Sequence, residues 1–518
     1  MNQWIRWLFG SQANILKKGA AASLLSMVAA LSLTPVAQAQ PASALKVASF
    51  RHPTTLDPIT GSSGHDHVFL YPVYDTLVGM DPKTLKLRPE LALSWEFPDP
   101  LTLIIKLRPN VRFHDGTAFD ASAVKFNLDR ARTGERSNIK ADLSSVASVE
   151  VAGPLQVVLK LKSPDTALPG VLADRAGMMA SPKAVQAAAA GYDRQPVGTG
   201  PWKFASWANN DRLVFEKNPG YWKPKRPLLD KLEFVYIADV TTGLRSVVAG
   251  ENDFVYALAP QQKSVAERSA NVTAASAPTL QVNMLYMNYG KAPLNDVRVR
   301  KAINLAIDRR QFTAVTTMGQ GVPASSLLPP EYWAANPAIV QQNNPEEAKK
   351  LLAEAGHPNG ITLSLVALTD QIQGQRVEIL INTLARAGIK LNVTRLAAGA
   401  ALTRFFNERQ DDIYLAPWTG RPDPSATLMG LFGTQAFFNA GRVDPTGGKL
   451  MKAIEDTRGV VEADKRKASI DAAQKMVFDE ALYAPLNFEA QVYAHSKKVQ
   501  GYVPNLLGKP RFDDVSVK

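Results

Sequence analysis

The chain has 518 residues, of which 46% are apolar and 20% charged, and its formal net charge at pH 7 is +12. This length exceeds one ordinary hydrophobic core and predicts two or three domains. The positive residues favour anionic neighbours but are scattered, which argues against a nucleic-acid-binding patch, and the absence of cysteine excludes disulfides and a thiol-linked lipid anchor.

The first residues have the layout of a secretory signal peptide. Residues 1–18 carry three positive and no acidic side chains, residues 19–33 are an apolar run, and residues 37–39 read Ala-Gln-Ala, a cleavage pattern. The run is too short to span a bilayer comfortably, since a span needs roughly 20 residues. We expect a mature, soluble periplasmic chain that starts near Gln40, which lowers the formal charge from +12 to +9. The alternative is an uncleaved N-terminal anchor.

The first half of the mature chain is predicted to be rich in strands. Alternating apolar residues predict strands at 44–49, 101–107, 149–161 (a hairpin turning at Gly153-Pro154), 202–207, 213–217 and 231–236. Helical patterns cover 69–78, 121–131 and 241–249, with Asp120 as an N-cap and Gly250 as a C-terminal stop. Residues 56–67 form a polar, glycine-rich loop, and residues 196–201 (PVGTGP) a rigid turn.

The second half alternates helices with strands. Helical periodicity predicts an amphipathic helix at 295–309, a helix that begins at Asn344-Pro345-Glu346-Glu347, and a third at 371–387. Strands are predicted at 361–368 and 389–396, on either side of that third helix. Strand, helix and strand of these lengths predict a right-handed parallel crossover.

Two apparent functional motifs have simpler interpretations. His65 and His67 lack the ligand spacing of a metal site, which favours ordinary histidines. Ser122 and Lys125 match the S-x-x-K pattern of penicillin-binding enzymes, but its companion motifs are absent and the pattern lies on a predicted amphipathic helix. The sequence also lacks a nucleophile elbow, a phosphate-binding loop and a dinucleotide fingerprint. It therefore favours a binding protein over an enzyme.

Seven short strings occur in a fixed order along the mature chain. They are 74–78 (YDTLV), 88–96 (RPELALSWE), 107–116 (LRPNVRFHDG), 196–202 (PVGTGPW), 218–222 (NPGYW), 295–302 (NDVRVRKA) and 306–309 (AIDR). Each string alone is weak, but the ordered set is specific and spans nearly the whole mature chain. It resembles the family 5 solute-binding proteins of ABC importers, the dipeptide-, oligopeptide-, glutathione- and nickel-binding type.

The resemblance implies an α/β, two-lobed periplasmic-binding-protein type II fold (cluster C) with an extra β-rich subdomain. The implied limits are a signal peptide (1–39), an N-terminal lobe (40–280, with the subdomain at about 72–195), a second α/β lobe (281–483) and a C-terminal segment completing the first lobe (484–518). A ligand would bind between the lobes, which close over it by hinge bending.

The resemblance also implies that the loop after residue 417 contacts the ligand. Its residues Trp418, Arg421 and Asp423 would supply an apolar wall, a carboxylate partner and an amine partner. Arg421 departs from the dipeptide-binding pattern and favours a ligand with an extra carboxylate. The alternatives are that Trp418 belongs to the core and that Arg421 pairs with Asp423 or another acid to fix the loop.

Two further segments are implied to reach the cleft. One is the glycine-rich loop, with Ser63, His65 and Asp66 as candidates, and the other contains Arg175, which the alternative places on the surface. Tyr286 and Asn288, on a strand predicted at 285–288, are interpreted as structural.

We therefore predict a monomeric, cofactor-free and metal-free periplasmic component of an ABC importer that captures a peptide or peptide-like, carboxylate-bearing solute and docks on inner-membrane permease subunits. The alternatives are another ligand on the same fold (a nickel chelate, an opine or a sugar-like solute), a sensory or chaperone role without a permease, and a secreted hydrolase. Nucleic acid is not an expected partner.

Overall fold

The strands form where apolar and polar residues alternate, as a pleated surface with a buried face requires. The structure is a computed structural model that describes residues 43–61 and 63–518. Its strands are β1 (Ala44–Ser49), β2 (Val78–Met80), β3 (Leu87–Pro89), β4 (Ala92–Asp99), β5 (Thr102–Leu107), β6 (Val146–Gly153), β7 (Gln156–Leu161), β8 (Trp202–Ala208), β9 (Arg212–Lys217), β10 (Lys231–Tyr236), β11 (Phe254–Leu258), β12 (Val272–Met287), β13 (Val322–Pro323), β14 (Ile361–Leu368), β15 (Ile389–Leu396), β16 (Ile413–Trp418), β17 (Tyr483–Ser496), β18 (Val499–Gln500) and β19 (Ser516–Val517).

Several helices begin at a side chain that accepts the backbone N–H three residues later, namely Asp120, Asp239, Asp308, Asn344 and Asp370. The helices are α1 (His67–Leu70), α2 (Ala121–Thr133), α3 (Leu168–Val171), α4 (Pro182–Ala188), α5 (Val240–Ala249), α6 (Pro260–Glu267), α7 (Val297–Ala306), α8 (Arg309–Thr317), α9 (Pro345–Glu354), α10 (Gln371–Ala385), α11 (Ala398–Leu402), α12 (Pro424–Phe432), α13 (Lys449–Gly459) and α14 (Ala463–Asp479). Short 3₁₀ turns lie at Gly64–Asp66, Lys140–Leu143, Arg175–Gly177 and Ala189–Arg194.

One large mixed sheet connects the two halves of the chain. Its strand order is β15-β14-β16-β12-β17-β11-β1-β10-β9-β8, with β13 also pairing to β17. β1 lies parallel between β10 and β11, and β14 lies parallel between β15 and β16. The long antiparallel strands β12 and β17 pair in the middle, with register shifts at Pro278/Val282 and Asn283/Met284. The pairing of β17 with both β11 and β12 therefore joins the first half of the chain (β1 to β11) to the second half (β12 to α14).

A second sheet forms the β-rich part of the first half. Strands β4, β5, β7 and β6 pair antiparallel in that order, and α2 packs against the β6 and β7 side. Leu103, Ile105, Val157 and Leu159 of the sheet share one buried core with Leu128 of α2. Burial of these side chains is what fixes the helix on the sheet.

Most of the predicted elements are present in the structure. The strands predicted at 44–49, 231–236, 361–368 and 389–396 have the observed bounds. β6 and β7 form the predicted hairpin, and β14 and β15 pair in parallel as the crossover prediction requires. Gly250 ends α5 with φ of 79°, the left-handed conformation that favours glycine.

Two predicted helices were wrong in extent. The helix predicted at 69–78 ends at Leu70, because Pro72 has no N–H for a helical hydrogen bond, and the chain turns instead into β2. The helix predicted at 295–309 is two helices: α7 stops at Ala306, Ile307 is extended, and Asp308 caps α8. The cap residue competes with helix continuation, which periodicity alone does not reveal.

The predicted signal peptide, residues 1–39, lies outside the described residues. Within 43–61 and 63–518, no helix has the length and apolarity needed to cross a membrane. The described residues belong to one compact unit, and the domain limits within it remain predictions.

Candidate functional site

Arg175 fixes the glycine-rich loop. It opens a 3₁₀ turn at which the Asp174 carboxylate accepts its backbone N–H at 2.9 Å. Its guanidinium donates to the carbonyl of Gly61 at 2.6 Å, to the carbonyl of Ser63 and, at 3.4 Å, to the Asp66 carboxylate. A side chain at Gly61 would lie 2.6 Å from that guanidinium, so the close approach requires glycine. Arg175 is thus buried and partnered, contrary to the surface alternative.

The loop residues Asp66 and His65 differ in their exposure to solvent. The Asp66 carboxylate is fully buried and accepts the backbone N–H and hydroxyl of Thr54 at 2.8 and 2.6 Å. His65 is half-buried and packs edge-on against Phe50. Burial, and then the charge of Arg51, lower the pKa of His65. Asp66 therefore supports the loop, whereas the His65 ring lies at its margin.

His67, which was not selected from the sequence as a binding residue, pairs with Asp174. Its Nδ1 lies 3.1 Å from the Gly64 carbonyl and its Nε2 contacts the Asp174 carboxylate, so both nitrogens face acceptors. Burial alone raises the pKa of Asp174, but the charges of His67, Lys509 and Arg175 hold it well below its usual range. Asp174 is therefore an anion in contact with the His67 ring, and burial lowers the pKa of that ring itself.

The loop after β16 turns at Gly420, where φ is 75° and a side chain would lie 2.6 Å from Leu280. Trp418, at the end of β16, is buried and packs edge-on against Phe438 at 5.3 Å. Within the described residues, its indole N–H has no hydrogen-bond partner. Trp418 thus lies in the core, as the alternative interpretation of the sequence had it, and its indole N–H remains an unsatisfied donor.

Arg421 is exposed, and its guanidinium lies 5.8 Å from the Trp418 ring. It makes no hydrogen bond or ion pair with any described residue, so the pairing with Asp423 is absent. Desolvation raises the pKa of Asp142, in the 3₁₀ turn before β6, and the charge of Arg421 opposes this shift only in part. The charge of Arg421 thus acts on a carboxylate of the first half of the chain.

Asp423, predicted to bind a ligand amine, is buried and paired within the protein. Its buried carboxylate caps α12 by accepting the Ser425 N–H at 2.9 Å and accepts the Arg466 guanidinium at 3.0 and 2.8 Å. A side chain on Gly170 of α3 would lie 3.2 Å from Asp423, so the first half packs directly against this point. Asp423 is thus a structural partner of Arg466 in this structure.

Lys509, on the C-terminal loop, was not predicted from the sequence. Its loop is fixed to the central strands, because Leu280 donates its N–H to the Leu506 carbonyl at 2.8 Å and Gln491 donates to the Gly508 carbonyl at 2.6 Å. The side chain is half-buried and has no hydrogen bond or ion pair with the residues described. Burial lowers its pKa, as do the charges of Arg175 and Arg421, against the opposing effect of Asp174. No sequence signal distinguished it from other lysines.

A buried polar stripe on β12 and β17 was also missed. Asn283 donates to Asn487 at 3.0 Å and to Glu489 at 2.9 Å, and Arg376 of α10 binds the same Glu489 carboxylate. In the described part of the chain, Oδ1 of Asn283, Nδ2 of Asn487 and Nε of Arg376 lack partners. Polar residues within apolar strands, such as the Asn in VNMLYM, were the available signal.

The remaining side chains singled out from the sequence make contacts within the protein. The Ser63 hydroxyl accepts the His65 backbone N–H at 3.2 Å. Tyr286 packs in an aromatic cluster with Phe406 and Tyr414, and Asn288 is buried and donates to the Arg409 carbonyl at 3.4 Å. Over the residues that the structure describes, no group of three or more His, Asp and Glu side chains is placed to hold a metal ion.

Comparison of the sequence with known proteins identifies a family and several relatives. The sequence pattern of the family described as "Bacterial extracellular solute-binding proteins, family 5 Middle" matches residues 86–439. The glutathione-binding protein GsiB of Escherichia coli (strain K12) is 31% identical over 468 residues, which cover 87% of this chain and 90% of that protein.

Comparison with solved structures finds chains of similar fold. HbpA2 from Haemophilus parasuis matches with a TM-score of 0.81 at 24% identity, covering 92% of this chain and 99% of that one. The ABC transporter-associated periplasmic binding protein DppA from Helicobacter pylori, in complex with the peptide STSA, matches with a TM-score of 0.74 at 24% identity, covering 92% and 98%. At this identity the two likenesses establish a shared fold.

Proposed function

Because the chain belongs to family 5 of the bacterial extracellular solute-binding proteins, we propose that it captures a peptide or peptide-like solute that bears carboxylates and delivers it to the permease of an ABC importer. The members of this family are binding proteins rather than enzymes. The observation that carries the ligand class is Arg421, an exposed guanidinium at the loop after β16 with no partner among the described residues.

The fold agrees with this proposal. The chain has the type II fold of periplasmic binding proteins, as its sequence predicted. The solute would lie between the halves, with the glycine-rich loop, Lys509 and Asp142 on one side and Arg421 on the other. Ligands sit preferentially in such clefts between domains, and a guanidinium there binds a carboxylate through two parallel hydrogen bonds.

The relatives' ligands fit the same class. The Escherichia coli relative is named for glutathione and the Helicobacter pylori structure contains a peptide, and both ligands carry carboxylates at neutral pH. We extend this ligand class to the present chain as a proposal. Family members share the fold and differ in their cleft residues, so the fold alone does not fix the ligand.

We place the mature protein in the periplasm, where it would act as a monomer and dock on permease subunits when its lobes close. The family is extracellular by description, and the predicted signal peptide would direct export. The lobes of the proposal are residues 40–280 completed by 484–518, and residues 281–483.

The test starts with native mass spectrometry of the purified protein to identify a co-purified ligand. A thermal-shift screen of peptides and amidated analogues follows, in which a true ligand raises the melting temperature. Arg421→Gln is expected to weaken binding of free-carboxylate ligands about tenfold, since a charge-assisted hydrogen bond contributes roughly 1.5–3 kcal/mol. Arg268→Gln is the matched control, because Arg268 is also exposed and makes no ion pair within the described residues.

Three results would oppose the proposal. Unchanged affinity of Arg421→Gln for every anionic ligand would remove the carboxylate role. Intact uptake of the ligand after deletion of the gene would favour a sensory or chaperone role. Hydrolysis of any peptide by the pure protein would revive the hydrolase alternative.

A further inference from the structure

A small cavity lies between α12, α14 and the start of β17. Its volume is about 10 Å³, close to what one water molecule requires. The walls consist of apolar side chains from these elements and from residues 327–328, together with the side chains of Thr427, Gln474 and Tyr483. The cavity is therefore too small for a solute, but it has room for a single molecule of the size of water.

Two polar side chains that line this cavity are deeply buried and lack partners. Thr427 is 1% and Gln474 is 5% exposed. Within residues 43–61 and 63–518, neither Oγ1 of Thr427 nor Oε1 of Gln474 makes a hydrogen bond. Buried hydroxyl and amide groups nearly always have a partner in proteins, because burial without one costs free energy. A molecule in the cavity would serve both groups.

The orientation of the Gln474 amide is fixed by a second contact. Its Nε2 donates to the Ala334 carbonyl at 3.0 Å. A turned amide would place its oxygen against that carbonyl oxygen, so the observed orientation is the favourable one. Oε1 therefore needs a hydrogen-bond donor, whereas the Thr427 hydroxyl can donate or accept. Water meets both requirements.

The cavity continues a polar contact between α12 and α14. The Arg466 guanidinium of α14 binds Asp423 and donates to the Ser425 hydroxyl at 3.1 Å, at the start of α12. Thr427 lies farther along α12, and Gln474 lies about two turns farther along α14. A water molecule between these two side chains would extend the contact beyond the first residues of α12.

A second cavity of the same size provides a comparison within the molecule. It also has a volume of about 10 Å³ and lies beside β12, α12 and the start of β17, with Met284, Met287, Leu431 and Phe432 among its lining residues. Among its lining side chains, all of them described, no buried polar atom lacks a hydrogen-bond partner. Apolar cavities stay dry, so the two cavities differ in the polarity of their walls and not in volume.

We propose that Thr427 and Gln474 form an internal binding site for one water molecule, which donates to Oε1 of Gln474, hydrogen-bonds the Thr427 hydroxyl and joins α12 to α14. An ammonium ion has a similar size, but its charge would be buried against mostly apolar walls. The inference goes beyond the proposed function, because the site is internal and holds whatever solute the protein captures.

The first test is a crystal structure of the full chain, from crystals grown without ammonium salts and at a resolution that shows ordered water. We expect electron density for one water molecule in the first cavity, within hydrogen-bond distance of Oγ1 of Thr427 and Oε1 of Gln474. The second cavity should contain no density.

The Thr427→Val variant gives a test in solution, because valine keeps the shape of threonine without its hydroxyl. If the water is present, the variant loses it and leaves Oε1 of Gln474 unpaired, so the melting temperature should fall by about 1–3 °C. If the cavity is dry, the substitution removes an unpaired buried hydroxyl, and the melting temperature should rise or stay unchanged.

Thr383→Val is the matched control. The Thr383 side chain is also buried in a helix, and its hydroxyl donates to the Ile379 carbonyl of the same helix, α10, at 2.8 Å. Because such a bond within one helix adds little to stability, the melting temperature of this variant should change by less than about 1 °C.

Several outcomes overturn the inference. They are a first cavity without density, equal density in both cavities, and a Thr427→Val variant that melts at or above the wild type. The wild-type crystal structure decides the matter if the variant does not fold. None of these results bears on the proposed function, which the binding screen tests separately.

Discussion

At the scale of single residues, the titratable groups outside the candidate site show how local hydrogen bonding fixes protonation. The His114 ring is held in one neutral form: its Nδ1 accepts the Gly198 N–H at 3.3 Å and its Nε2 donates to the Gly200 carbonyl at 3.0 Å. Burial lowers the pKa of His114 to about 4. This ring joins the loop before α2 to the glycine-rich turn before β8.

The buried ring predicts a dependence of stability on pH. Between the folded pKa of about 4 and the ordinary value of 6.5, the unfolded chain binds a proton at His114 that the folded protein does not. The free energy of unfolding should therefore rise with pH across this window and lose about 2 kcal/mol from pH 7 to pH 5 through this group. Urea unfolding of His114→Gln should show a loss of unfolding free energy between pH 7 and pH 5 that is about 2 kcal/mol smaller than the loss of the wild type. His357→Gln, at a ring without hydrogen bonds to described residues, should keep the wild-type dependence, and equal slopes for all three proteins would contradict the assignment.

The Asp423–Arg466 pair predicts a large loss of stability on removal of one partner. Asp423→Asn leaves the buried Arg466 guanidinium without its counter-charge, which costs roughly 3–5 kcal/mol. Thermal unfolding measures it. Glu462→Gln removes an exposed partner of Lys465 in the same region and should change stability by less than about 1 kcal/mol. Similar small losses for both variants would mean that the Asp423 pair is as weak as a surface pair.

At the scale of elements, the sequence predicted the strands and caps well because their signals are local. Asp120, Asn344 and Gly250 act where the pattern placed them. The ends of α1 and α7 were missed because a local break at Pro72 or Asp308 overrides the apolar period. At the site, Arg421 could be selected from its motif, whereas Lys509 depends on contacts between segments far apart in sequence, which no local pattern contains.

The turn at 196–201 also has a consequence for stability. A Cβ on Gly200 would lie 2.5 Å from the carbonyl carbon of Val73 and 2.6 Å from the Pro72 oxygen, both backbone atoms. Gly200→Ala should therefore force the turn off the segment after α1 and destabilise the protein by about 1–3 kcal/mol or more. Gly153→Ala is the control and should be near neutral, because a Cβ added there would meet no atom within 4 Å. Equal melting temperatures would show that the two segments separate without cost.

At the scale of the whole molecule, contacts far from the central strands join the two halves. The Arg458 guanidinium of α13 binds the fully buried Asp165 carboxylate at 3.0 and 2.5 Å, and Thr166 donates its N–H to the Arg458 carbonyl at 2.7 Å. Ser145 donates to the same carboxylate at 2.6 Å. These contacts therefore hold α13 of the second half against the segment between β7 and α3 of the first half.

This pair predicts a shift towards an open form when its charges are removed. The double variant Asp165→Asn/Arg458→Gln keeps hydrogen-bonding groups but loses the ion pair. Its radius of gyration without ligand, measured by small-angle X-ray scattering, should increase, and its affinity should fall by a similar factor for every ligand. Lys452→Gln/Asp456→Asn, an exposed pair on the same helix, is the control. A selective loss for one ligand would instead place Asp165 or Arg458 at the ligand.

The position of β17 in the central sheet has a consequence for biosynthesis. Its fourteen residues, Tyr483–Ser496, pair with both β11 and β12, so neither neighbour has its full set of hydrogen bonds until almost the whole chain has left the ribosome. Pairings between segments so distant in sequence form slowly, and the exposed strand edges of the incomplete chain need protection from aggregation. The central sheet of a nascent chain therefore cannot be completed until its synthesis is almost finished.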